Sequence, residues 1–306
     1  MRDAFINALT DLAENDKDIV LLTGDLGFGV FEEFEARFPG QYFNVGIAEQ
    51  NMMGLAAGLS LEGKKVVAYS IGNFASLRCL EQIRNDVCYH DASVTIVASG
   101  GGFSYGSLGM SHHTTEDLAI LRALPNMIVV APCTREEAKE ATKQLVSGKG
   151  VGYLRLDKTA AEEYAEAQPF SIGKSRIFRE GNDITLIATG GILEEAVLAA
   201  NELESFGLDV KIVGIHTVKP IDKEEILKSA RETGGLVVIE EHNKDGGLGS
   251  AVAEVCMDQG VLPKIFLRVA LDNNFSSIVG TQHYLRAQYN INHSAIVSSV
   301  KKLFNL

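Results

Sequence analysis

Two α/β domains, each a doubly wound sheet of mostly parallel strands, are predicted by three features of this sequence. Short apolar, β-branched runs alternate with longer amphipathic stretches, the pattern of parallel strands joined by crossover helices. Glycines follow several of the runs, as in Thr23-Gly24-Asp25 and Ser99-Gly100-Gly101. The pattern also stops at a polar stretch, Asp157–Gln168, just before Pro169, and then restarts. The chain is therefore divided into residues 1–165 and 166–306.

In chain order, residues 2–15 carry Ala4, Phe5, Ala8, Leu9 and Leu12 at helical spacing. A strand follows at Ile19–Leu22 and runs into Thr23-Gly24-Asp25-Leu26-Gly27. A second short strand, Tyr42–Val45, feeds Gly46-Ile47-Ala48-Glu49, and a helix then extends to Leu61. Further strands are expected at Lys65–Ser70, Ser93–Ser99, Met127–Pro132 and Gly152–Leu156, with helices over 76–88, 115–123 and 135–147. In the second half, strands are expected at Asp183–Thr189, Leu208–Gly214, Leu236–Glu240 and Lys264–Ala270. Helices are expected over 192–206, 222–232 and 247–258.

Composition narrows the function. The 306 residues carry a net charge of −12 with no long basic block, which argues against a nucleic-acid or anionic-membrane surface but leaves room for a local phosphate pocket. No apolar run reaches the roughly 18 residues of a membrane span. The start, Met1-Arg2-Asp3, leads into a helical pattern rather than a signal peptide. Cys79, Cys88, Cys133 and Cys256 lack metal or disulfide spacing, as expected of a cytoplasmic protein.

Four places have the residue types of a site, and each has a plainer reading. Glu49 stands where a strand gives way to a helix, at the end of a sheet where α/β proteins bind ligands; it is also a natural acidic helix start. The run from Ser99 to His112-His113 is a long glycine-rich loop. Its histidines suit proton transfer or polarisation of an oxygen, or simply cap the next helix. Adjacent histidines with no Cys, Asp or Glu at ligand spacing make a poor metal site. Phe74, followed by Arg78, Glu81 and Arg84, offers a ring to stack on a planar heterocycle, or is core. Asp245-Gly246-Gly247-Leu248-Gly249-Ser250 resembles an anion-binding helix start, or is a glycine turn with a serine cap.

The order and spacing of these pieces are more specific than any one of them. Gly46-Ile47-Ala48-Glu49-Gln50, then Phe74, then Gly109-Met110-Ser111-His112, resembles the pyrimidine-binding domain of transketolases. So does Glu116-Asp117-Leu118-Ala119-Ile120-Leu121-Arg122-Ala123-Leu124-Pro125-Asn126. Thr189-Gly190-Gly191 and Ile215-His216-Thr217-Val218-Lys219-Pro220-Ile221-Asp222 resemble that family's C-terminal domain. The Gly-Asp-Gly motif with which the family holds metal and diphosphate does not occur here, so the chain resembles the second subunit of a split transketolase.

That resemblance implies thiamine diphosphate, with Mg²⁺ held by a partner subunit bearing the Gly-Asp-Gly motif, in an α2β2 heterotetramer. It implies transfer of a two-carbon ketol unit between sugar phosphates of pentose phosphate metabolism, with xylulose 5-phosphate the expected donor. Glu49 matches the carboxylate that hydrogen-bonds the aminopyrimidine, Phe74 the stacking ring and Asp25 an acidic position near the cofactor. Ile71 falls where many members have a second aromatic. His112 matches a histidine at the substrate's reacting oxygens, and Arg2 and Lys158 match the basic groups for the sugar phosphate. Three departures mark the substrate side. Lys158 replaces an arginine and its bidentate fork. Gly100 stands for a histidine, and Leu108 for an aspartate that reads a sugar hydroxyl. Two rivals share this layout. One is a beta-type subunit of another thiamine diphosphate enzyme, a 2-oxo acid dehydrogenase or a deoxyxylulose-phosphate-synthase-like protein. The other is a non-catalytic regulatory subunit.

Overall fold

The structure, a computed structural model, describes residues 1–163 and 168–306. The division at 165/166 lies outside the described residues. The first half contains α1 (Arg2–Asn15), β1 (Ile19–Thr23), α2 (Glu32–Arg37), β2 (Tyr42–Asn44), α3 (Glu49–Leu61), β3 (Lys65–Ile71), α4 (Gly72–Ala75) and α5 (Leu80–Gln82). It continues through β4 (Val94–Ser99), α6 (Asp117–Arg122), β5 (Met127–Val130), α7 (Arg135–Ser147) and β6 (Val151–Leu156). The second half contains β7 (Arg176–Arg179), β8 (Ile184–Ala188), α8 (Leu193–Glu204), β9 (Val210–Gly214), β10 (Thr217–Lys219) and α9 (Lys223–Glu232). It ends with β11 (Leu236–Asn243), α10 (Leu248–Asp258), β12 (Phe266–Leu271), α11 (Gln282–Gln288) and α12 (His293–Phe304).

Two mostly parallel sheets result, as the sequence predicts. One has the order β10-β5-β6-β4-β3-β1-β2 and the other β12-β11-β8-β9-β7. Strands covered on both faces need apolar residues on both, and β1, β4 and β6 are buried along their whole length. Val20 and Leu22 face one core with Met52 and Met53 of α3. Ile19 and Leu21 face the other, with Phe5 and Leu9 of α1 and Ala138 and Ala141 of α7. The second sheet is likewise sandwiched between two apolar layers.

Several elements differ from expectation. The stretch expected as one helix over 76–88 is a succession of short turns: Leu77–Cys79, α5, and a π-helical segment at Ile83–Cys88. Elements α2, β7, β10, α11 and α12 have no counterpart among the expected ones. Strand β10 lies in the second half of the sequence yet pairs antiparallel with β5 of the first sheet, Thr217 opposite Val130. Its three residues tie the two sheets together.

Buried polar groups add a second tie, and it shapes the glycine-rich loop. Glu241 at the end of β11 accepts from the Phe103 backbone N–H, from Gln282 Nε2 (2.9 Å) and from Arg286. Arg155 of β6, only 1% exposed, donates to the Glu241 carbonyl at 2.9 Å and to the Thr114 carbonyl at 3.3 Å. Asp157 accepts from Gly191 N–H at 2.7 Å. A side chain at Gly101 would run into Arg155 and Asp157, and one at Gly102 into Glu241. Glycine there lets the loop lie against charged groups of both halves.

Candidate functional site

Parallel strands place their carboxyl ends on one edge, so the residues after β1, β2, β3, β4 and β6 converge there. Residue Ile71 pairs with Ser99, and Ser99 with Leu156, which sets three of those ends side by side. The singled-out residues fall on this edge in two groups.

The first group surrounds Glu49. It is the first residue of α3 and 1% exposed. Its Oε1 accepts from Ser70 Oγ at 3.3 Å and its Oε2 pairs with Arg78 Nη1 at 2.7 Å. Glu49 is thus the acidic helix start of the plain reading, but its carboxylate is bonded to Ser70 and Arg78 rather than to a backbone N–H of α3. Gly24 faces it, and a Cβ there would be 3.4 Å from Oε1. The guanidinium of Arg78 lies 3.9 Å from the centre of the Phe74 ring. Phe74 is half-buried rather than core, and its ring meets that of His112 edge-on with centres 5.2 Å apart. His112 Nδ1 is 3.0 Å from Ser111 Oγ, and Asn73 Nδ2 donates to the Ser111 carbonyl at 3.0 Å. Ile71, also half-buried, ends β3 beside them. A buried acceptor beside a partly open aromatic face suits a flat, hydrogen-bonding heterocycle such as an aminopyrimidine.

Asp25 stands at the rim, exposed, in the left-handed region at φ 58. Asn44 fixes it: Asp25 N–H donates to Asn44 Oδ1 and Asn44 Nδ2 donates to Asp25 Oδ1, both at 3.0 Å. Asn44 Oδ1 also accepts from Gly46 N–H at 3.0 Å, so one amide joins the ends of β1 and β2.

The second group lines a cleft of about 360 Å³ that includes Arg2, Ser99, Tyr105, Arg135, Asp157 and Lys158. It brings together Arg2 and Lys158 from opposite ends of the first half of the chain. Burial, and then the neighbouring Arg2 charge, push the Lys158 ammonium below the usual lysine range. Gly100, at φ 91, follows Ser99 of this lining and lies under the Tyr105 ring. Three basic side chains against two carboxylates, Asp3 and Asp157, leave the cleft with a positive excess that suits an anion.

Other candidates turn out to be structural. His113 is buried; its ring packs edge-on against Phe103, its Nε2 is 3.4 Å from the Gly106 carbonyl, and burial pushes its pKa down. Neither histidine caps α6. At 245–250 the Leu248 and Gly249 N–H groups donate to the Glu240 carboxylate at 2.7 and 2.8 Å, so that helix start already holds an anion of its own. Glu194, Glu195 and His283 bring three potential ligand atoms within 4.8 Å of one another. There Arg286 pairs with both carboxylates and His293 with Glu195. Sequence reasoning noted Arg78 without a role and overlooked Asn44, Ser70, Tyr105 and Arg135. Asn44, Ser70 and Tyr105 enter through contacts that the order of residues does not reveal, and Arg135 through its place in the lining of the cleft.

The chain as a whole is similar to known proteins. Residues 1–163 match the family described as "Transketolase, pyrimidine binding domain", and residues 173–294 match "Transketolase, C-terminal domain". The chain is 41% identical over 279 residues to the "Putative transketolase C-terminal section" of Methanocaldococcus jannaschii, covering 90% of this chain and 87% of the relative. It is 34% identical over 298 residues to an apulose-4-phosphate transketolase subunit of Phocaeicola vulgatus, covering 96% and 94%. A solved structure described as "Split gene transketolase, inactive beta4 tetramer" superposes with a TM-score of 0.87 at 36% identity, covering 98% of this chain and 96% of that one.

Proposed function

This chain belongs to the transketolase family, and we propose that it is the pyrimidine-holding subunit of a split transketolase. It moves a two-carbon ketol unit from a ketose phosphate, xylulose 5-phosphate in the first instance, to an aldose phosphate. The observation that carries this reading is Glu49, a buried carboxylate linked through Arg78 to the half-buried ring of Phe74 at the carboxyl edge of the sheet.

Thiamine diphosphate, when bound, supplies the carbanion chemistry that a ketol transfer requires. The residues of this chain hold and orient it. Glu49 would hydrogen-bond the pyrimidine ring nitrogen in its protonated, imino-tautomer form, Phe74 would stack on the ring with Ile71 as an aliphatic wall, and Asp25, held by Asn44, would border the cofactor. His112, braced by Ser111, moves a proton at the substrate's reacting oxygen. Arg2 and Lys158 take the sugar phosphate in the cleft that Tyr105, over Gly100, helps to line. Lysine does so as a point charge rather than a fork.

Mg²⁺ and the diphosphate are assigned to a partner subunit bearing a Gly-Asp-Gly motif, in a cytoplasmic α2β2 assembly. Phe28 and Ile47 support such a partner: they are 78% and 76% exposed, one three residues after Asp25 and the other two residues before Glu49. No helix among the described residues is long and apolar enough to cross a membrane. The test is ketol transfer from xylulose 5-phosphate to ribose 5-phosphate by this chain, by the partner, and by the two mixed with thiamine diphosphate and Mg²⁺. Activity confined to the mixture is expected. A mixture that forms no complex and binds no cofactor would discard the proposal.

A further inference from the structure

Gly100 is held in the backbone region that favours glycine, at φ 91, and its N–H donates to the Leu156 carbonyl at 2.7 Å. A second constraint acts at the same position. The ring of Tyr105 covers Gly100 so closely that a Cβ there would fall inside the ring's van der Waals envelope. A side chain at position 100 and this placement of Tyr105 exclude each other.

Tyr105 is delivered by the fold of the loop. Gly106 N–H donates to the Phe103 carbonyl at 2.8 Å and Leu108 N–H to the Tyr105 carbonyl at 2.9 Å, which turns the chain back toward β4. Gly106 packs against Leu285 and the Gly280 carbonyl, leaving no room for a larger residue, and Glu241 holds the Phe103 N–H. Once there, the Tyr105 hydroxyl lies 3.4 Å from Ser99 Oγ, and the Lys158 ammonium sits 4.2 Å from the centre of the ring. Ser104 Oγ accepts from the Lys158 N–H at 3.2 Å, so the same loop positions Lys158 at both ends. A ring steadies an ammonium without neutralising it, as a carboxylate would, so the charge remains available to an anion.

We propose that Tyr105 determines specificity in this cleft, its ring standing in for a side chain at position 100 and holding Lys158 toward a phosphate. Its hydroxyl, paired with Ser99, meets a hydroxyl of the phosphorylated sugar. The ligand class is a polyhydroxylated carbon chain ending in phosphate, with Arg2 and Arg135 as the other cations of the cleft. This rests on the ketol-transfer reading above.

The experiment uses the complex of this chain with its partner, loaded with thiamine diphosphate and Mg²⁺. Binding of ribose 5-phosphate is measured by calorimetry, and kcat and KM by ketol transfer. Tyr105→Phe, which keeps the ring, should weaken binding and raise KM about 3- to 10-fold, one hydrogen bond's worth, with kcat within about twofold. Gly100→His alone should weaken binding further, because φ 91 disfavours any side chain there and the imidazole also competes with the ring for one space. Adding Tyr105→Ala to Gly100→His should recover part of that loss, a non-additive pair. Wild-type binding and KM in Tyr105→Phe, or a Gly100→His chain indifferent to residue 105, would overturn the role of Tyr105 while leaving the function standing. A wild-type complex that neither binds ribose 5-phosphate nor transfers ketol would remove both.

Discussion

At Glu49 an ion has been taken almost wholly out of water, with Ser70 and Arg78 as its hydrogen-bond partners. A desolvated carboxylate stripped of its cation keeps the desolvation cost and loses the compensation. Arg78→Met should therefore lower stability by about 1–3 kcal/mol, toward the lower end because the guanidinium side is 40% exposed. Glu49→Gln removes the charge that needs pairing, so the double variant should lose less than the sum of the two. Urea unfolding of the four chains measures this coupling, and strict additivity would show that the contact carries no energy. In the assembled enzyme Glu49→Gln should cost about 10²- to 10⁴-fold in kcat while the complex still forms. An unchanged kcat would remove Glu49 from the chemistry. The order of motifs makes Glu49, Phe74 and His112 legible as a set, because each directly follows or closes a recognisable run. Tyr105 is not legible, since nothing in Ser104-Tyr105-Gly106 says that the loop folds back over Gly100.

Among the elements, the long buried strands are the most readable, because a run such as Ile19-Val20-Leu21-Leu22 is apolar on both faces. Strand β10 is not. Three residues are too few for periodicity, and its place is set by pairing with β5 across the chain. The segment 76–88 carries helical spacing, yet its hydrogen bonding changes from 3-10 through α to π along its length, and Arg78 in the first of these stretches lies over Phe74 and pairs with Glu49. His216, just before β10, makes the junction of the two sheets sensitive to acid. Its carbonyl accepts from Ala131 N–H at 2.8 Å, its Nδ1 lies 2.9 Å from Thr217 Oγ1, and the Phe170 ring packs on it with centres 4.2 Å apart. Burial, and then the charge of Arg176, push its pKa down to about 3, with Asp222 opposing. The unfolded chain takes up a proton below about pH 6.5 and the folded chain does not. The stability is thus complete above about pH 6.5 and is lost as pH falls toward about 3. Between about pH 7 and pH 5 His216 should account for about 2 kcal/mol of lost stability. Unfolding free energies across that range should show this loss in the wild type and a flatter profile in His216→Gln. Parallel profiles would locate the acid-sensitive group elsewhere.

For the whole molecule, the question is what covers the edge that carries the site. Interior apolar groups close both sheets, yet large apolar side chains remain outside along this edge: Phe28 and Ile47 near Glu49, and Leu108 and Met110 on the glycine-rich loop. Phe275 and Val279 join them from the second half, where Val279 lies beside Gly109 and Phe275 shares a small cavity with Met110 and Asn73. Single exposed apolar residues are ordinary; a row of them flanking a buried carboxylate and a half-open ring is a surface meant to be covered. Phe28 and Ile47 add little to the fold of the isolated chain, being more than three-quarters exposed. Their burial would contribute about 1.5 kcal/mol or more each to association. Phe28→Asp combined with Ile47→Asp should then weaken the complex with the partner subunit by at least about 100-fold, since a charge must also be desolvated. The thermal unfolding of the chain by itself should be unchanged. Sedimentation at graded concentrations reads the first effect and circular dichroism on heating the second. If the doubly substituted chain still assembles as tightly as the wild type, the partner covers a different face, and the site on this edge would have to be completed by this chain's own loops.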